Sequence, residues 1–270
     1  MDSHEAHNRN TVELRSYFVR ERNALLVRAQ FAPLYEDYFL HLLQHGLRNA
    51  PQHDELVKDL LAALTLHLGS RPRNETTAWT LNLQRPPLNL FATGDSVSGR
   101  VTGRVFTEDV SERAQSLFYS QSRESGGAPR LSTIAIPEPQ IGGHRIFRAV
   151  EAYYRQSEQR PARLFRYAPE DIVMVSAQPD CDLAWLDQLD DDAIRTLDAG
   201  ESLRLLETRS YFFACGCSLE RILPVLAAMS AEARSRLFAE NDPAVVTCPR
   251  CGAVFLLASG QLDQFMDDHC

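Results

Sequence analysis

Four of the six cysteines in this 270-residue sequence fall into two tight pairs near one end, Cys215-Gly-Cys217 and Cys248-Pro-Arg-Cys251. Such pairs suit a structural metal site or thiol–disulfide exchange, and they can also be coincidence. A CxC and a CxxC together offer four thiolates, which close a tetrahedral zinc site and leave no position for a reacting water. That argues against a catalytic zinc. The run "AVVT-CPRCG-AVFLL" reads as strand, tight turn, strand, the arrangement that lets two thiolates point at one ion. With four thiolates the ion carries about −2 net charge, so backbone amides of the turn and Arg250 are expected to stabilise it. A CPRC redox catalyst would sit between a strand and a helix start, which lowers a thiol's pKa; here a strand follows.

Other residues carry weaker signals. His41 and His45 in "HLLQH" share a helical face, as a metal pair would, but lack the carboxylate of HExxH zinc proteases. They read as a helix-face coincidence. "GDSVSG" (94–99) resembles a nucleophile elbow, yet Ser98 stands where the second glycine belongs and strands flank it, so a hairpin turn is expected. Cys181 and Cys270 have no partner by motif and read as ordinary thiols, and His4 and His7 belong to a polar tail.

The elements that must position the cysteines follow from pattern. Ser218 suits the cap of a helix over "LERILPVLAAM", in which Pro224 is awkward, and Ser230 caps a second helix ending at Asn241. Upstream, 11–31 alternates around a polar break and predicts a hairpin of long strands. Pro33 opens a helix stopped at Gly46, and 53–70 forms a second, ending at Gly69. Short strands fill 76–106, whereas the polar segment 107–130 predicts a loop or surface helix. "LSTIAIPEP" is a strand, 145–161 a helix ended by Pro161, and "ARLFRYAPEDIVMVSAQP" two strands.

After Pro179 the composition shifts: "DCDLAWLDQLDDDAIRTLDAGESLRLLETRS" holds nine acidic residues against three arginines. Leu183, Leu186, Leu189, Ile194 and Leu197 mark an apolar face, and Asp191 or Asp192 caps a second short helix that Gly200 ends. Helices of about eight residues are marginal alone in water and borrow stability from their neighbours. The expected fold is α+β in three parts. These are a mixed sheet-and-helix domain over 1–178, a metastable helical linker over 179–210, and a small four-cysteine zinc-binding domain over 211–270.

A chain that is 44% hydrophobic can bury a large core, and no run of about eighteen apolar residues predicts a membrane helix. The start, "MDSHEAHNRN", lacks an apolar secretory stretch, so a cytoplasmic protein with reduced thiols is expected. Net charge is −8 and Lys58 is the sole lysine, a poor match for nucleic acid.

The segment from Cys215 to Gly252 resembles the zinc module of the bacterial redox-regulated 33-kDa heat-shock chaperone family: a CxC, serine and helix, a second helix, and a CxxCG turn. "EAYYRQSEQRPARL" (151–164) is similar to that family's acidic-aromatic helix running into QSEQ and proline. "LLAALTLHLGS" followed by "WTLNLQRPPLNLFATGDSVSGRVTGRV" resembles its N-terminal helix and sheet. Region 104–145 departs from the family's Gly-rich pattern, and the hairpin "SYFVRERNALLVRAQF" is more charged. The resemblance implies a holdase without enzymatic turnover. Reduced, it holds one zinc on Cys215, Cys217, Cys248 and Cys251. Oxidised, Cys215 pairs with Cys217 and Cys248 with Cys251, zinc leaves, and the linker opens to unfolding client proteins. A homodimer is left open for the oxidised form. Trp185, Leu186, Leu189, Leu205 and Leu206 are then expected to become available to clients.

Overall fold

The computed structural model describes residues 10–136 and 144–269; His4, His7 and Cys270 lie outside the described residues. Alternation along Val12–Val19 (β1) turns Val12, Leu14, Ser16 and Val19 inward, and a short 3-10 turn returns the chain as Ala24–Gln30 (β2). The expected hairpin is present, with Val19 opposite Ala24. Two helices follow, Ala32–Gln44 (α1) with its early proline and Pro51–Gly69 (α2), whose second half is buried on every side.

Strands Glu75–Gln84 (β3), Pro87–Asp95 (β4) and Arg100–Phe106 (β5) form a meander. The "GDSVSG" segment is its tight turn, with Asp95 Oδ1 accepting from the amides of Val97 and Ser98. The segment expected as loop or surface helix instead contributes Leu117–Glu124 (β6), followed by Arg130–Ala135 (β7). The inward positions of β6 are Phe118, Ser120 and Ser122, so small hydroxyl side chains hide the period-two pattern. Arg145–Gln156 (α3) ends on the first residue of QSEQ, short of the expected stop at Pro161, because 157–160 turn back onto Tyr153 and Tyr154; Ala162–Ala168 (β8) pairs with Asp171–Ala177 (β9) as expected.

Linker helices Leu183–Gln188 (α4) and Asp191–Gly200 (α5) are capped by Asp182 and Asp190, one residue before the expected Asp191. The rest of the linker is not helical. Leu203–Phe213 (β10) is a long strand inserted between β1 and β5, antiparallel to the first and parallel to the second. The sheet is ten-stranded, in the order β7-β6-β3-β4-β5-β10-β1-β2-β9-β8. After it come Leu219–Ala227 (α6), Ala231–Phe238 (α7), the hairpin Ala244–Thr247 (β11) with Val254–Leu257 (β12), and Ser259–His269 (α8). The result is α+β, as expected.

Under the sheet, α2 and α3 meet around Trp79, Phe118 and Tyr153, with Phe118 and Tyr153 stacked at 4.9 Å. Buried Glu75 accepts from Arg130 at 2.7 Å and Arg71 at 3.3 Å; Arg71 also holds Glu158 of the QSEQ turn at 3.0 Å. Burial works against the charge on Glu75, yet the His67 ring, Arg71 and the Thr77 hydroxyl bring its carboxyl down to about 2. No helix among the described residues is long and apolar enough to cross a membrane.

Candidate metal centre

β10 delivers the first cysteine pair. The Phe212 amide bonds Gly99 O and the Ala214 amide bonds Val101 O, both at 2.9 Å, so the chain is fixed to β5 up to Cys215. Gly216 then turns with φ of +68°, and a Cβ there would lie 2.7 Å from an Arg100 nitrogen. The left-handed backbone favours glycine there, while the Arg100 guanidinium can move aside. The second pair occupies the turn between β11 and β12. Its shape comes from Cys248 N bonding Ala253 O at 2.8 Å and Gly252 N bonding Cys248 O at 2.9 Å, with Gly252 at φ +80°.

The four Sγ atoms lie within 4.8 Å of one another, with Cys215 to Cys248 at 3.7 Å and Cys217 to Cys251 at 3.5 Å. Zinc–sulfur bonds of about 2.3 Å in a tetrahedron set sulfur–sulfur edges near ~3.8 Å. The donor set and its dimensions fit zinc. The Ala253 amide donates to Cys251 Sγ at 3.5 Å, as expected of such a turn.

Among the thiols, a hydrogen bond with Cys251 and the nearby charge of Arg250 hold Cys215 at about 5. Burial and the Cys215 charge push Cys217 up to about 12, while the bond to Cys215 and burial raise Cys251. A divalent cation that binds these thiols as thiolates displaces their protons. The module around it is thin: Leu226, Leu257 and Leu262 are the buried residues of its main apolar cluster.

The sequence-flagged linker residues divide. Leu186 and Leu189, with Ile194 and Leu197, are buried against Val19, Leu26, Phe165, Val173 and Val175 of the sheet. Trp185 is half-buried, with the Arg22 guanidinium 5.6 Å from its ring. Leu205 and Leu206 are each 52% exposed on β10, so they are open to solvent in the folded chain rather than uncovered by linker opening. Cys181 is half-buried beside the linker's apolar cluster and is not part of the thiol group; burial first, and the Asp182 charge, raise its pKa.

Two further sets of residues bear on the site and its linker. Arg22 bonds Asp182 at 2.8 Å and Glu201 at 3.0 Å, tying down both ends of the linker helices. The His41–His45 pair, read from sequence as a coincidence, touches the cysteine turn: His41 Nε2 donates to Cys251 O at 2.9 Å and His45 Nδ1 accepts from Val254 N at 3.2 Å.

The chain is similar to several known proteins. A family model described as Hsp33 protein matches residues 170–258. The 33 kDa chaperonin of Edwardsiella ictaluri is 28% identical over 148 residues, 46% of this chain and 50% of that protein. That of Citrifermentans bemidjiense is 36% identical over 73 residues, 27% of this chain and 25% of that protein. The chain thus spans about half the length of the first relative and about a quarter of the second. A solved structure, the 33 kDa chaperonin (heat shock protein 33 homolog) of Thermotoga maritima, superposes with a TM-score of 0.68. It covers 97% of this chain and 99% of its own at 13% identity, a likeness of fold.

Proposed function

The chain is an Hsp33-like family member, and from that premise we propose that it is a cytoplasmic, redox-regulated holdase for unfolding client proteins. The observation that carries the reading is the four-thiol cluster at the end of the strand that leads out of the linker helices. Cys215, Cys217, Cys248 and Cys251 would hold one zinc ion, with 1–178, 179–210 and 211–270 as chaperone domain, linker and switch. Bound zinc supplies roughly 10–16 kcal/mol of folding free energy to modules of this kind.

The module's own apolar cluster is too small to replace that contribution. On oxidation, Cys215 with Cys217 and Cys248 with Cys251 each form one S–S bond and lose two electrons, and peroxide is reduced to water. Loops of three or four residues closed this way contribute only about 1.5–2 kcal/mol each in the chain-entropy model. The ligand set is gone and the module unfolds.

Lifting α4 and α5 uncovers Val19, Leu26, Phe165, Val173 and Val175, together with the linker's own Trp185, Leu186 and Leu189, as apolar surface for clients. Leu205 and Leu206 extend that surface along β10. Binding of this kind needs no catalytic turnover. The test measures zinc content and light scattering of a heat-denatured client, side by side, for protein kept reduced with zinc and protein treated with peroxide at mild heat. Suppression only after oxidation, with zinc released, is expected. Equal behaviour of the two preparations leaves a structural zinc protein and refutes the switch.

A further inference from the structure

The cysteine turn does not stand free of the sheet domain. Cys251 O accepts from His41 Nε2 at 2.9 Å, the Val254 amide donates to His45 Nδ1 at 3.2 Å, and Cys248 O accepts from Arg104 Nη1 at 3.4 Å. His41 lies on α1, His45 directly follows it, and Arg104 belongs to β5. The two imidazoles lie 4.7 Å apart; His41 also packs on Phe213 at 5.3 Å and His45 on Phe255 at 6.5 Å. Leu47 closes the contact from below: a Cβ on Gly252 would come within 2.9 Å of its Cδ1.

All three polar contacts go to main-chain atoms of the turn. Those atoms hold these positions only while the turn is folded around its thiols, so the contact depends on shape rather than on turn side chains. We propose that His41, His45 and Arg104 form a dock on the sheet domain that accepts the folded, metal-loaded cysteine turn and releases it when the metal is lost. It rests on the four cysteines holding zinc, and not on client binding.

Linkage makes the dock reciprocal: free energy gained by docking the loaded turn is returned as metal retention. Partners that orient a metal's ligands typically change affinity by 10–100-fold when removed. His41 and His45 are positioning residues here, because neither touches the sulfurs.

Two measurements on the full reduced chain test this. In the first, zinc transfer to a coloured chelator is timed for the wild type, for the double variant His41→Ala/His45→Ala, and for His53→Ala. Transfer roughly 10–100-fold faster in the double variant alone is expected. The second needs no variant: carbethoxylation of histidines is mapped by mass spectrometry with zinc bound and after chelation. His41 and His45 should be protected with zinc and react faster without it, while His53 on α2 reacts alike in both. Unchanged His41 and His45 rates on chelation, in a protein that carries one zinc per chain, overturn the dock and leave the metal centre standing. Zinc content near zero in the starting protein overturns the metal centre, and the coupling with it.

Discussion

Leu186→Ala should open the linker without any oxidant. Leu186 is buried completely, at the centre of the cluster that joins α4 and α5 to β1, β2, β8 and β9. Truncating such a leucine costs about 3 kcal/mol or more, from lost transfer free energy and the cavity left behind. α4 has six residues and no stability of its own, so the loss falls on local opening of the linker rather than on the sheet. At 1.4 kcal/mol per factor of ten, the opening equilibrium shifts by about 100-fold. Hydrogen exchange of the reduced, zinc-loaded protein reads this directly. Peptides over 183–200 should exchange about 100-fold faster, while those over α2 stay as in the wild type. Leu60→Ala, in the main core, serves as the contrast because its effect acts through global unfolding. The reduced Leu186→Ala protein should also suppress client aggregation in part. If its linker peptides exchange as in the wild type, or if every peptide accelerates together, the linker is not a separable unit and the reasoning fails.

Replacing any one of Cys215, Cys217, Cys248 or Cys251 with serine should strongly weaken zinc retention, read by metal analysis after dialysis, whereas Cys181→Ser should leave it intact. The buried Glu75 network predicts a specific acid response. Its folded pKa of about 2 lies below the unfolded value, so its stabilisation is complete above about pH 4.5 and is lost as pH falls toward 2. The gap corresponds to about 3 kcal/mol. The melting-temperature difference between wild type and Glu75→Gln should therefore shrink on acidification through this window, and a constant difference would count against the assignment.

How far the sequence could be read depended on distance along the chain. The metal ligands were legible because spacing within each pair is local chemistry, and the helix stops at Gly46, Gly69 and Gly200 were legible for the same reason. β6 was not, because Ser120 and Ser122 occupy inward positions that pattern reading assigns to apolar residues. β10 was missed because the composition of 179–210 predicts a helical linker, whereas Leu203–Phe213 is a strand. In the fold Arg209 is buried, with its guanidinium on the carbonyls of Leu68 and Arg71, and so satisfies a helix end that sequence cannot bring to it. His41 contacts Cys251 across 210 residues and Arg22 contacts Asp182 across 160, separations at which no local rule acts.

The position of β10 also constrains how the cysteine centre can influence the linker. The family resemblance implies that the linker opens when zinc leaves, as if its helices leaned on the zinc module. Their buried side chains instead cluster with sheet residues, and none of the module's buried residues joins that cluster. Loss of the module therefore removes no apolar support from α4 and α5 directly. The covalent route between them is β10, whose far end meets β5 through only Phe212 opposite Arg100 and Phe213 opposite Val101. That end is also where His41 packs on Phe213 and where the chain enters Cys215. If the cysteine turn is released as proposed, the His41 contact at Phe213 goes with it, and any fraying of β10 is expected to start at that end. The bulge between Ser16 and Tyr17 divides the remaining pairing with β1 into two shorter blocks, the second ending beside Ser202, whose carbonyl accepts from Arg20. On that proposal, fraying that reached Ser202 would free Glu201 from Arg22 and undo the clamp on the linker helices from the sheet side.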